Sequence, residues 1–428
     1  MAIFRERPLG RRPADLQDGG FDLQEAKRIA TGLDGSHLFV QGPPGSGKTY
    51  NGAQLIGQVL ARGARVGVAS SSHAAIHNLL AEVERFAGED PPWRGLKKHS
   101  GTPESHYRSE RENRVIENSD RIADFTSDEH RLVAGTAWLF AREELDSTLD
   151  YLFVDEAGQI SLADALAIGT SARNLVLLGD PLQLAQVSQA IHPPGAGASV
   201  LEHLLDGHAT VPRDRGLFID ETRRMHPDVC RFISDAIYEG RLESFEDCGR
   251  QDLSAPGELS GTGVRFVPVV HEGNVRQAPE EVRAIASHLE HLLRGRYSMA
   301  NGDARPLEPR DVMVVAPYNA QVRCLREQLP AGVRVGTVDK FQGQEAAVTF
   351  FSMATSSGAE LPRNLEFLFS RNRLNVAVSR ARCLAVLVCN PELLHVPCRS
   401  AEQMRLVNAL CRLVEVADDQ VQSGAILP

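Results

Sequence analysis

Residues 42–49 read GPPGSGKT and follow directly on an apolar run, HLFVQ at 37–41. The octet fits G-x-x-x-x-G-K-[ST] at every position, in the strand–loop–helix setting that the pattern requires. Such a loop ties a chain closely to one architecture. Its glycines must turn backbone N–H groups inward around phosphate oxygens while the following helix presents its positive end. Gly42, Pro43, Gly45, Ser46 and Gly47 form the expected cradle, Lys48 offers a cation to the outer phosphates, and the Thr49 hydroxyl is a candidate ligand for Mg²⁺.

The surrounding pattern agrees. A helix is expected near 22–33, and apolar strands at 66–70, 132–136, 151–155 and 175–179, each separated from the next by helical or longer segments. Buried apolar strands alternating with helices imply a parallel sheet covered on both faces. After a Pro/Gly/Ala-rich break at 190–199, a second series follows at 264–270, 312–318, 333–339, 348–354 and 384–390. The expected fold is therefore α/β, with two tandem domains, each a mainly parallel sheet flanked by helices, of similar strand count. We place a loose N-terminus at 1–20, the first domain at 21–205 and the second at 206–428. A polar, Pro-punctuated insertion at 88–130, helical near 103–126, interrupts the first. At 428 residues the chain is long enough for two cores.

No apolar run approaches the roughly 20 residues needed to cross a bilayer, and the Arg-rich N-terminus lacks a hydrophobic signal core. A cytoplasmic protein without a membrane partner is expected. Seven cysteines, never spaced C-x-x-C, argue against a disulfide framework or a zinc ribbon. The four between 383 and 411 leave a metal site open, although CLAVLVCN reads as a strand burying Cys383 and Cys389. The formal net charge of −10 gives a polyanion no general attraction, so contact with nucleic acid would rest on a local groove.

YLFVDEAGQ places Asp155 at the end of an apolar strand with Glu156 beside it. Asp155 can hold Mg²⁺, and Glu156 can orient or deprotonate a water for attack on a terminal phosphate. Transfer to a substrate hydroxyl would not need that second carboxylate for water, so the pair favours hydrolysis over a kinase. LVLLGDPLQL at 175–184 ends another strand in Gly-Asp-Pro-x-Gln, with Gln183 a candidate γ-phosphate sensor.

These motifs and their order resemble helicase superfamily one, B branch, the group of the nonsense-mediated-decay RNA helicase and the Okazaki-fragment nuclease-helicase. The resemblance runs from about residue 21 to 395 and implies two RecA-like domains with ATP and Mg²⁺ as cofactors. Gln24 resembles the adenine-reading Gln upstream of the phosphate loop, and VASSSHAAIHNLL at 68–80 resembles motif Ia, whose Ser72, His73 and Asn78 would face a nucleic-acid strand. TRRMHPDVCRF from 222 brings Arg224 as a phosphate-contacting residue. GTVDKFQGQE at 336–345 brings Glu345 as the ribose ligand, and NRLNVAVSRAR at 372–382 brings Arg380 as the arginine finger. The family's adenine-stacking Tyr is replaced by Arg223, whose guanidinium can also stack on a base. His226 before Pro227 reads as a helix start. No nuclease motif is evident; in one family arrangement a RecB-type nuclease is fused to such a motor, and this chain would be the motor half.

The resemblance implies a helicase or translocase on single-stranded DNA or RNA, 5′-to-3′, hydrolysing ATP in the cleft between its domains, with a nuclease domain or protein partner possible elsewhere. A nucleic-acid-stimulated ATPase that clamps or remodels nucleoprotein without unwinding is the closest rival. Strand-end polar residues, Ser72, His73, Thr136 and Thr355 with Ser356, are candidates for contact with the strand, or ordinary caps. Between 93 and 114, Arg94, Lys97, Lys98, Arg108, Arg111 and Arg114 interleave with Trp93 and Tyr107, opposed by Glu104, Glu110 and Glu112. That segment reads either as a grip on the strand or as a solvated face.

Overall fold

The computed structural model describes residues 16–184, 197–341, 343–358 and 365–424. Most of the 190–199 break and residues 1–15 lie outside them. The described chain forms two compact units, one of residues 16–181 and 197–220, the other of 182–184 and 221–424.

In the first unit, α1 (Leu23–Thr31), β1 (His37–Gln41), α2 (Lys48–Leu60), β2 (Val66–Ser70) and α3 (His73–Phe86) lead into β3 (Gly95–Lys98) and β4 (Ile116–Ser119). Then come α4 (Ile122–Thr126), β5 (Leu132–Thr136), α5 (Ala137–Phe140), β6 (Leu149–Val154), α6 (Leu162–Gly169), β7 (Ala172–Gly179), α7 (Val200–Leu205) and β8 (Gly216–Phe218). The strands make one eight-stranded sheet in the order β4-β3-β5-β2-β6-β7-β1-β8, parallel throughout. Strands β1 and β2 are buried along their whole length, as a sheet covered on both faces requires.

The sheet is wider than the apolar runs indicate. The 88–130 segment is not an independent helical insertion: β3 and β4 extend the sheet edge, and helix is confined to one turn at Pro103–Ser105 and to α4. At the other edge β8 pairs with β1, so residues 206–220 pack with the first unit. The Gln41 side chain reinforces this edge, accepting from Val211 N (2.7 Å) and donating to Ala209 O (3.2 Å). Residues 16–20 are anchored rather than loose. Gln17 exchanges two hydrogen bonds with the Phe218 backbone, and Leu16 is buried.

The second unit begins with β9 (Glu221–Thr222), α8 (Pro227–Ile237), β10 (Glu243–Ser244), β11 (Asp252–Ser254), β12 (Gly263–Pro268) and α9 (Pro279–Leu292). It continues through β13 (Arg296–Ser298), β14 (Ala304–Pro306), β15 (Val312–Ala316), α10 (Asn319–Gln328), β16 (Arg334–Thr337) and β17 (Ala346–Ser352). It ends with α11 (Leu365–Leu368), α12 (Arg371–Ser379), β18 (Ala381–Cys389) and α13 (Ala401–Gly424). Its main sheet, β12-β18-β17-β15-β16, has five parallel strands, so the two sheets differ in strand count. Cys383 and Cys389 are buried in β18. No helix among the described residues is long and apolar enough to cross a membrane.

Candidate functional site

The C-terminal ends of parallel strands gather the loops that bind ligands in open α/β sheets, and the first unit's candidates stand there. Leaving β1, Gly42 N donates to Gly179 O (3.0 Å). The chain then turns through Gly45 (φ 75°) and Gly47 (φ 76°), left-handed conformations natural to glycine, and Gly47 is the N-cap of α2. A Cβ at Gly42 would sit 2.1 Å from Lys48 Cγ, so only glycine lets the lysine fold back over the loop. Lys48 Nζ donates to Gly42 O (2.7 Å). The Ser46 hydroxyl is buried and makes no hydrogen bond within the protein, a group whose partner a phosphate oxygen would supply. A tight cradle, an orphaned hydroxyl and a lysine beside it fit a nucleotide triphosphate.

Asp155, just past β6, is buried and accepts from Glu156 N (3.0 Å). Burial, and then the Glu156 charge, push its carboxyl up, while Lys48 pulls it down. Lys48 and Asp155 are thus electrostatic neighbours, and a cation between them would relieve the penalty. Glu156 itself has φ 52°, a left-handed backbone uncommon for a non-glycine residue and most often tolerated at functional sites. Thr49 lies in the first turn of α2. Gln24 is exposed in the first turn of α1, just after the Asp22 N-cap.

Gln183 follows the end of β7 and is buried. Gly179–Pro181 belong to the first unit and Leu182–Leu184 to the second, where Asn375 Nδ2 on α12 donates to Leu182 O (2.8 Å) and to the Tyr238 hydroxyl (2.7 Å). Asn375 is fully buried and lies within the 372–382 motif, where the sequence singles out Arg380 instead.

The second unit brings Arg224, Glu345 and Arg380 together. Arg224 Nε donates to Glu345 Oε2 (2.6 Å) and Nη1 to Ser379 O (3.1 Å). Arg382 binds the other carboxylate oxygen. Burial raises the Glu345 carboxyl, but Arg224 and Arg382 outweigh it and hold it below the ordinary range. Each oxygen keeps accepting capacity beyond these bonds. Arg380 is 2% exposed and Nη1 donates to Gln344 O (3.4 Å). Behind them Gln251 Nε2 donates to Arg224 O (2.9 Å), and Tyr297 donates to Gln251 Oε1 (2.6 Å). Arg223, exposed, lies over the Phe245 ring (4.2 Å to its centroid). His226 caps α8, accepting from Asp228 N (3.1 Å), with Pro227 in the first turn, the helix start its sequence suggests.

The strand-contact candidates divide. Ser72 caps α3, accepting from Ala75 N (3.2 Å), and Asn78 is exposed on the same helix. Thr136 ends β5. Thr355 is fully buried and donates to Val275 O (3.0 Å). The loop it occupies is held by Ser356 on His271 Nδ1 (2.8 Å) and by Glu281, which accepts from Ala354 N (3.0 Å). Its hydroxyl is committed to the fold.

The basic segment between 93 and 114 is built differently from a continuous grip. Trp93 and Tyr107 are core residues, not a stacking surface. The Lys97 side chain is 0% exposed; its ammonium donates to Lys98 O (2.6 Å) and Ser105 O (3.1 Å) and meets His73 Nδ1 at 3.1 Å. Arg111 donates to the carbonyls of Glu84, Ala87, Gly88 and Glu89, satisfying the frayed C-terminus of α3. These two cations are used up by protein carbonyls; Lys98 is half-buried and donates to His99 O (3.0 Å), whereas Arg108 and Arg114 are exposed. Arg111→Ala should therefore cost about 1–3 kcal/mol of stability and lower the thermal midpoint by a few degrees, leaving any salt dependence of strand binding unchanged. Lys97 carries a pH signature. Burial, then Lys98, push its ammonium down to about 8, against about 10.4 in an unfolded chain. Between those values the unfolded chain holds more protons, so stability rises with pH; below pH 8 both states are protonated and the slope vanishes. The melting difference between the wild-type chain and Lys97→Met should change across pH 8–10 and be flat below.

Comparison with known proteins adds to this geometry. Two family models, each described as an AAA domain, match residues 24–193 and 196–392. The chain is 26% identical over 409 residues to putative helicase mov-10-B.1 of Danio rerio, covering 83% of this chain and 40% of that protein. It is 24% identical over 404 residues to DNA polymerase alpha-associated DNA helicase A of Schizosaccharomyces pombe, covering 80% and 59%. This chain belongs to helicase superfamily one. It spans only about two fifths to three fifths of the length of those two relatives. Among solved structures, an arterivirus nonstructural protein 10 (helicase) in complex with DNA matches at a TM-score of 0.46 and 18% identity, covering 87% of this chain and 64% of that one.

Proposed function

We propose that this chain is the motor of an ATP-dependent helicase that moves 5′-to-3′ along single-stranded nucleic acid, with ATP hydrolysed in the cleft between its two RecA-like units. The observation that carries the reading is the division of chemistry: a phosphate cradle with Asp155 and Glu156 in one unit, and Arg224, Glu345 and Arg380 clustered in the other. Lys48 and the loop N–H groups bind the outer phosphates. Thr49 and Asp155 would hold Mg²⁺, which supplies charge neutralisation at those phosphates. Glu156 accepts the proton of the attacking water. Arg224 and Arg380 stabilise the charge that develops on the transferred phosphoryl group, Glu345 holding Arg224 in place and accepting from the ribose. Gln24 and Arg223 face the adenine. Gln183, on the Leu182–Leu184 segment that Asn375 holds, senses the terminal phosphate. Because the arginines lose their anionic partner when phosphate leaves, hydrolysis is coupled to opening and closing of the units. Ser72, His73, Asn78 and Thr136 line the strand path, with Lys98 and Arg108 gripping phosphates. A nuclease domain or protein partner would complete a longer assembly.

The test is ATPase stimulation by single-stranded DNA and RNA of matched length, followed by displacement of duplexes carrying a 5′ or a 3′ tail. Stimulation and unwinding from the 5′ tail are expected. Stimulation without displacement on either tail would make the protein a clamp or remodeller, and unwinding from the 3′ tail would overturn the polarity. Replacing Lys98 and Arg108 with Ala should weaken binding and flatten the log–log salt slope by about 0.7 for each phosphate no longer gripped.

A further inference from the structure

We propose that Trp138 is a stacking platform for an unpaired base of the bound strand, an inference that rests on the reading above. Trp138 is 86% exposed, more than any other large apolar side chain described. Tryptophan is seldom left so open, because its burial ordinarily contributes more than that of any other side chain. The local fold explains how it is presented. Helix α5 starts directly off β5, Leu139 and Phe140 turn into the core, and Trp138 is left on the outward side.

Its position gives the exposure meaning. Strand β5 lies between β3 and β2, and all three run parallel, so the segments after them emerge on one edge of the sheet. After β2 come Ser71 and Ser72. Thr136 ends β5, two residues before the indole. After β3, Lys98 is followed by His99, whose ring stacks on His106 with centroids 4.0 Å apart. Gly135 brings two of these segments together, since a Cβ there would lie 3.3 Å from Lys98 Cβ and 3.0 Å from Leu139 Cβ. A flat apolar face beside hydroxyls and a lysine is the chemistry that binds single strands without sequence preference. The base stacks, and the cation and hydroxyls take the phosphates. A protein surface would more often pair such an indole with further exposed apolar side chains, and none of the others described lies on residues 95–106 or 132–140.

The chain's two tryptophans make the test direct, because Trp93 is buried in the core. Titration of the full chain with a labelled oligothymidylate is followed by anisotropy and by tryptophan emission in parallel. Binding should quench the exposed indole. Trp138→Ala should weaken binding by about five- to 150-fold and abolish the quench. Trp138→Phe should recover most of the affinity, and strand-free ATPase and thermal midpoint should not move in either variant. Binding with no quench, a quench with unchanged affinity in Trp138→Ala, or a loss that Phe does not restore each overturns the platform while leaving the motor reading intact. A chain that binds no strand by anisotropy overturns both.

Discussion

Glu156→Gln should bind Mg·ATP as well as the wild-type chain and hydrolyse it about 10²–10⁴-fold more slowly, the usual worth of a positioned general base. Glutamine keeps the length and planarity of the side chain. It also carries the same cost for the left-handed backbone at φ 52°, so the substitution isolates the charge and the proton-accepting oxygen. The neighbouring carboxyl sharpens the expectation. Glu156 is one of the charges holding the Asp155 carboxyl up, after burial; its removal lets Asp155 ionise more readily and leaves the expected metal ligand intact or improved. Nucleotide affinity from a fluorescent ATP analogue and turnover from phosphate release separate the two quantities. Turnover close to wild type would remove Glu156 from the water-activating role.

The legible part of this protein is the part in which chemistry is written in consecutive residues. The phosphate loop needs a strand, a glycine turn and a helix in unbroken order, and residues 37–60 supply all three. Nearly every long apolar run forms a strand of one of the two sheets. What could not be read depends on partners far along the chain. Lys97 and Arg111 look from their spacing like a basic grip. Whether a cation meets phosphate or protein is decided by which carbonyls the fold brings to it, and for Arg111 these lie at the end of α3, more than twenty residues away. Strand β3 has no apolar run to betray it, because it is short and half lysine, although Lys97 is buried as fully as any core residue. Arg382 closes the 372–382 motif without being singled out there, and Gln251 and Tyr297 lie in no motif. They matter because they surround Glu345 and Arg224, a relation that arises only once β18 and the segment after α8 are packed together.

Arg380→Ala and Arg224→Ala should each depress hydrolysis by roughly 10³–10⁵-fold, the range that arginine fingers supply in phosphoryl transfer, with much smaller losses of nucleotide affinity. Both side chains are nearly enclosed in the second unit, so truncation also removes packing and hydrogen bonds. Arg224→Ala leaves Glu345 with Arg382 as its remaining guanidinium partner, and Arg380→Ala opens a volume where a long buried side chain stood. A loss of activity alone would not distinguish a finger from a support. Lysine substitutions make that distinction. Arg380→Lys keeps the positive charge and most of the aliphatic stem, and should hold the thermal midpoint near that of wild type. A single ammonium cannot reproduce the planar, forked donation of a guanidinium, so hydrolysis should stay well below wild type. The same split is expected at Arg224, where lysine can still pair with Glu345. If nucleotide affinity falls in full proportion to the rate, the arginines are ground-state ligands. If the lysine variants recover full turnover, the guanidinium geometry is not what the reaction uses, and the arginines act as charge and packing alone.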